Sequence, residues 1–420
     1  MTPVRRWSGY ESRALRHALR MSVREFADHL GAGARTVSNW EADGRRIQPR
    51  PVWQAALDTA LRQATDEARA RFELLLTAPD PGTVDSPSAD DPAAEADGTN
   101  LAVVLQGLRL ALTAYQRIDR PPSSIQSTEM AAIGLHAAYQ RADYGVVARQ
   151  LPDILFDTRA HVTGTTGPRR QRALRTQAVA YLCASKLASK AGEGQLAWLA
   201  ADRAGTAAQL AGMPAMSALA TYQVACALLA LRTAGSEVES LAATAADELA
   251  GATDADLLSI RGSLLLLAAL ATAHQGDRRA TTRHLTAATV AAERLGRDDN
   301  RLWTAFGPTN VAIHRLSAAV TLDRPDQATM IGRRLDSSQL PKPLAGRRAQ
   351  IHIELATAST RRRTGDARAV LHLLEAERLA PQALRVNVAA RSLLTELLGR
   401  EHRAATPGLR PLAERAGLAG

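Results

Sequence analysis

A chain of 420 residues exceeds one ordinary hydrophobic core, so two or more domains are expected. Hydrophobic residues make up 46% of it but aromatics only 4%. Ala and Leu carry the apolar content and no run alternates as a half-buried strand would, which predicts an all-α protein. The formal charge of +10 suits an anionic partner, but arginine supplies nearly all of it and the three lysines are Lys186, Lys190 and Lys342, so the location of charge says more than its total.

The N-terminal stretch MTPVRRWSGYESRALRH has no apolar signal core. The most apolar run, Leu264 to Ala273, is half of what a membrane span needs and ends in His274-Gln275-Gly276-Asp277. A soluble, cytoplasmic protein without a membrane partner is expected.

Residues 1–78 read as short, punctuated helices. Ser22 followed by Glu25 forms a capping box, so a helix starts at Val23. Phe26, Ala27 and Leu30 fall on one face, Gly31 ends the helix, and Val37 and Trp40 restart an apolar face on a second short helix. Small Ala27 permits close crossing, Gly31 makes the turn and Val37 pins the second helix to the first, the offsets that a helix-turn-helix needs. With Val37 and Trp40 inward, helical periodicity sends Ala34, Arg35, Ser38 and Asn39 to the opposite face. Arg35 can donate twice to a guanine edge and Asn39 can pair with an adenine edge, so these two are the candidate base readers. Residues 1–50 hold ten Arg against five acids, the local basic bias that nucleic-acid binding requires.

This region, about residues 7 to 60, resembles the Cro/C1-type (XRE family) helix-turn-helix of phage and bacterial repressors. Val37-Ser38-Asn39-Trp40-Glu41 is similar to that family's recognition-helix ending, while Gly33 stands where the family places a capping Ser or Thr. The resemblance implies that Thr36 also approaches DNA. It further implies that Arg24 holds a phosphate and that Arg45, Arg46 and Arg50, after the recognition helix, touch the backbone.

Residues 79–100, PDPGTVDSPSADDPAAEADGTN, carry Pro, Gly, Ser and Asp with no basic residue and predict a flexible acidic linker. From 101 to 420, helical periodicity runs nearly to the end. Ile351 to Pro381 reads as an apolar helix, a Gly365-Asp366 turn, Ala369, a second apolar helix and a terminal Pro. Similar turns stand at Gly192-Glu193, Gly235-Ser236, Gly276-Asp277 with Ala280, and Pro325-Asp326 with Ala328. Gly permits a left-handed helix exit, and the small Ala lets two antiparallel helices approach closely. The pattern resembles degenerate tetratricopeptide repeats, implying an α-solenoid of antiparallel helix pairs; a non-repetitive helical bundle is the alternative. Cys183 and Cys226 fall in apolar stretches at similar places in neighbouring units and read as two buried thiols.

One stretch breaks the pattern: Arg301 to Leu316, RLWTAFGPTNVAIHRL. Trp303 and Phe306 are two of the few aromatics, Gly307-Pro308 interrupts the helix, Thr309 can cap the next, and Asn310 and His314 share a face four residues apart. These four, Trp303, Phe306, Asn310 and His314, either line a ligand pocket on a concave solenoid surface or make an ordinary helix turn with buried aromatics. FGPTNV is similar to stretches in actinobacterial regulators that join this headpiece to tetratricopeptide-like repeats, and the whole chain resembles that group. The layout is also similar to that of peptide-sensing regulators of Gram-positive bacteria.

No P-loop, G-x-G-x-x-G, G-x-S-x-G or H-E-x-x-H is present, and no metal-ligand spacing, so neither an enzyme nor a cofactor is expected. The arginine pairs, Arg347-Arg348 among them, read as solvated. The expected function is sequence-specific transcriptional regulation: a homodimer on a palindromic double-stranded DNA operator, its repeats sensing a peptide or small molecule. The alternative is a DNA-tethered adaptor whose repeats dock a partner protein.

Overall fold

In the computed structural model the described residues form helices and turns and no strand. They are residues 7–19, 21–43, 47–66, 68–69, 72, 101–113, 121–231, 235–362, 364–401 and 406–418. The acidic segment 79–100, Arg45 and Arg46 lie outside them. The chain divides into two compact units, Met1–Asp91 and Pro92–Gly420, and the division falls inside that acidic segment.

Capping residues set the helices of the first unit. Ser8 opens α1 (Gly9–Ala18) with a capping box closed by Glu11. Ser22 opens α2 (Val23–Leu30): its backbone N–H donates to Glu25 Oε2 at 2.8 Å and its hydroxyl accepts from the Glu25 N–H at 3.2 Å. Gly31 ends α2 at φ +68°, where a side chain would be strained. Three residues later α3 (Ala34–Asp43) begins, with the Gly33 carbonyl accepting from the N–H groups of Thr36 and Val37. Pro51 opens α4 (Pro51–Gln63). Phe26, Ala27, Val37 and Trp40 are buried with Trp7, Leu15 and Leu57 in one core. A bidentate ion pair, Arg16 to Glu41 with both bonds at 2.7 Å, ties α1 to α3.

The second unit is a succession of helices packed on their chain neighbours: α5 (Leu101–Thr113), α6 (Ile125–Arg141), α7 (Tyr144–Gly164), α8 (Gly167–Lys190), α9 (Gly194–Leu210), α10 (Pro214–Leu231), α11 (Gly235–Glu248), α12 (Ala255–His274), α13 (Arg278–Leu295), α14 (Pro308–Thr321), α15 (Pro325–Arg334), α16 (Ala345–Thr360), α17 (Asp366–Leu379), α18 (Pro381–Val386), α19 (Val388–Gly399) and α20 (Leu409–Arg415). Gly192-Glu193, Gly276-Asp277 and Gly365 stand between two such helices, whereas Gly235-Ser236 and Pro325-Asp326 are the first residues of α11 and α15. The residues that make the turns differ, however. Gly192 and Gly276 do adopt left-handed φ, +79° and +76°. Gly365 does not; a Cβ there would meet the Ser359 carbonyl, so glycine serves close approach instead. Before Pro325 the left-handed residue is Asp323, at φ +54°. Ala280, Ala328 and Ala369 are buried where the paired helices meet.

The last helices fold back on the first. The Gly145 N–H, in α7, donates to Gln382 Oε1 in α18 at 2.9 Å, and the side chains of Gln140 and Asn300 bond reciprocally at 2.7 and 2.9 Å. Helices α10 and α12 reach the length and apolarity of a membrane span. For α12 the reason is packing: Leu264, Leu265, Leu266 and Leu267 are all buried in the core of the unit.

Candidate functional site

On α3 the buried and exposed positions alternate as a helix period requires. Val37 and Trp40 are inside; Ala34, Arg35, Ser38 and Asn39 are exposed, and Thr36 is half-buried. Arg24 is exposed on α2 and Arg50 just before α4. No side-chain partner for Arg24, Arg35, Ser38, Asn39 or Arg50 occurs among the described residues, whereas Arg16, the arginine facing the core, is tied to Glu41. The outer face of α3 thus exposes guanidinium and amide groups that have no partner among the described residues, on a helix packed into the core from behind.

In the second unit two hollows adjoin. The smaller, about 90 Å³, lies among Tyr139, Tyr144, Trp303 and Leu344. The larger, about 900 Å³, is walled by α8, α10, α12, α14, α16 and α19, with Cys226, Leu229, Leu270, His314, Glu354 and Asn387 in its lining. Lys190, Arg347 and Gln350 border both. Lys190 Nζ donates to Gln350 Oε1 at 3.3 Å, which also accepts from Asn387 Nδ2 at 3.1 Å; Gln350 Nε2 donates to Glu354 Oε1 at 2.9 Å. Glu354 is the only carboxylate among the described residues lining either hollow.

The four positions singled out between Arg301 and Leu316 separate. Trp303 lines the smaller hollow and stacks on His136, ring centroids 3.9 Å apart, with its carbonyl accepting from Lys186 Nζ at 3.0 Å. His314 lines the larger hollow, its Nδ1–H donating to the Asn310 carbonyl at 2.9 Å. Phe306 lines neither: it is fully buried against Gly262, where any Cβ would overlap its ring. Asn310 is buried one turn before His314, and its Oδ1 has no hydrogen-bond partner among the described residues. Nor does Thr309 cap α14. Gly307 is the N-cap, and Asp298 accepts from the Thr309 N–H at 2.9 Å and from its hydroxyl at 2.6 Å. Leu302, Trp303 and Ala305 adopt left-handed φ of 46°, 58° and 54°, a run of strained backbone beside the smaller hollow.

Burial governs the protonation of these groups. It lowers Lys186 and Lys190 to about 8, with Arg347 adding to the effect in both. It brings His314 down to about 4 and His136 well below its ordinary value, so both imidazoles are neutral at pH 7. It pushes Glu354 up, against the opposing pull of its Gln350 bond and of Lys190 and Arg347. The thiols of Cys183 and Cys226 rise to about 12 and 11, which makes them inert as nucleophiles at neutral pH.

Lys186, Lys190, Arg347, Gln350 and Asn387 were not singled out by the sequence. One signal was there: Lys186 and Lys190 are two of three lysines in an arginine-rich chain, four apart in the apolar run YLCASKLASK. Arg347 gave none, because its pair looked like any solvated turn. Compared with protein-family models, with characterised proteins and with solved structures, the chain matches none.

Proposed function

We propose that this protein is a cytoplasmic, sequence-specific DNA-binding transcriptional regulator, with α2 and α3 as a helix-turn-helix and α5 to α20 as a tetratricopeptide-like sensor domain. The observation that carries the reading is the outer face of α3: Arg35, Ser38 and Asn39 exposed and without side-chain partners among the described residues, on a helix whose other face is packed through Val37, Trp40 and the Arg16–Glu41 pair. Arg35 and Asn39 read base edges in the major groove; Arg24, Arg45, Arg46 and Arg50 hold phosphates. In the repeat domain, alternate helices line one cleft, the arrangement of a superhelix of antiparallel pairs with a concave binding surface. Ligand in that cleft changes operator affinity, a coupling typically of about 1–3 kcal/mol. The regulator acts as a homodimer on a two-fold symmetric operator, as one headpiece contacts too little DNA for strong specificity.

The test is fluorescence anisotropy on a duplex selected by the full-length protein. Arg35→Ala should weaken that site by about 1–3 kcal/mol and relax preference at one base pair. Unchanged affinity and preference would remove Arg35 from the recognition surface.

A further inference from the structure

The cleft of the repeat domain carries charge that the fold leaves unmatched. Lys190 and Arg347 border both hollows, and among the described residues neither has a carboxylate within ion-pair distance. Lys190 is bonded instead to the neutral amide of Gln350. Cations drawn out of bulk water in excess of their counter-charge destabilise a fold, and here two cations share the single carboxyl of Glu354, so this arrangement needs another reason. The larger hollow, about 900 Å³, is of the size that encloses small ligands, and Leu228, Leu229, Leu270, Ile313 and Val388 give it apolar lining besides the polar cluster.

We propose that the cleft binds a ligand with an apolar body and one carboxylate, the carboxylate held between Lys190 and Arg347 and the body laid against the leucine wall. Two cations face one carboxyl, Glu354, so the site offers a net charge of about +1, which a monoanion balances and a phosphate dianion overfills. Arg347 supplies the planar fork that suits a carboxylate, and Gln350, Asn387 and neutral His314 add hydrogen-bonding groups around it. The aromatic hollow under Trp303 continues from the same cations, so a side group next to the carboxylate reaches Tyr139 and Tyr144. Lys186 has a different part: bonded to the Trp303 carbonyl, it holds the strained segment Leu302–Ala305 over that hollow and is a positioning residue.

The proposal rests on reading the repeat domain as a sensor, and it is tested without DNA so that the two can fail separately. Full-length protein is titrated by calorimetry with octanoate, octanamide, inorganic phosphate, and a pool of N-acetylated apolar pentapeptides made with free or amidated C termini. A carboxylate probe should bind, its amide counterpart at least about tenfold more weakly and phosphate not measurably. Binding of octanoate alone identifies a small organic acid, and binding of the free-acid peptides identifies a peptide C terminus. Lys190→Met and Arg347→Met should each weaken the carboxylate at least about tenfold, and Lys190→Arg should retain it. If Lys190→Met does not fold, Arg347→Met decides. Equal binding of acids and amides, tighter binding of phosphate, no binding by any probe, or wild-type affinity in Arg347→Met overturns the proposal.

Discussion

Replacing Lys190 with Met tests whether the cleft charge is structural or reserved for a ligand. Enclosure lowers the Lys190 ammonium from 10.5 to about 8, a penalty of about 3 kcal/mol for carrying the charge in the folded state. The group borders an open cleft and is half-buried, so solvent screening reduces this to about 2 kcal/mol. The substitution also deletes the hydrogen bond to Gln350, worth about 1 kcal/mol. Gln350 Oε1 is not orphaned by that loss, because Asn387 Nδ2 still donates to it at 3.1 Å. The net expectation is a gain of about 1 kcal/mol, or roughly 2 °C in Tm for a domain of this size. The gain depends on pH. The folded-state pKa is the lower one, so the penalty is complete below about 8 and fades as pH rises towards 10.5, where the unfolded chain also loses its proton. Lys186 titrates over the same window but is common to both proteins. Differential scanning calorimetry of wild type and Lys190→Met at pH 7 and pH 10 reads both effects. A lower Tm for the variant at pH 7, or a difference that persists undiminished at pH 10, would refute the reasoning and make Lys190 a structural member of the fold.

Two further substitutions probe the scaffolds behind the sites. Glu41→Gln breaks the bidentate pair with Arg16, whose side chains are 12% and 10% exposed; it should cost about 2 kcal/mol and speed amide hydrogen exchange in α3, whereas unchanged exchange would mean that the pair does not hold the helix. Gly262→Ala forces a Cβ into the Phe306 ring and should cost about 1–3 kcal/mol in thermal melts, with Phe306→Leu in the same chain restoring most of it; a failed rescue would place the strain elsewhere.

The first helices of the chain were legible because their signals are local. A capping box spanning four residues, a glycine at φ +68° and a helical repeat of apolar positions each lie within one or two turns of chain. The all-helical character and most of the breaks between helices were legible for the same reason, although Gly365 and Asp323 show that the residue named for a turn need not be the one that makes it. Of the cleft only Trp303 and His314 were legible. Its defining contacts join residues far apart in sequence, Lys190 with Gln350 and Gln140 with Asn300 across 160 positions, and arise only because the last helices return to the first. Phe306 drew attention as a rare aromatic, but rarity cannot tell a pocket wall from a core plug, and the open space that Gly262 leaves made it the latter.

In the proposed function the exposed face of α3 recognises DNA. The direct measurement is selection from a randomised duplex pool by the full-length protein, followed by sequencing of the retained DNA. Enrichment of one motif in two symmetric half-sites about one helical turn apart or a multiple of it, with the motif relaxed at one position in Arg35→Ala, is the predicted result. A retained pool no different in sequence from the input, under salt conditions where the protein is folded, would contradict it.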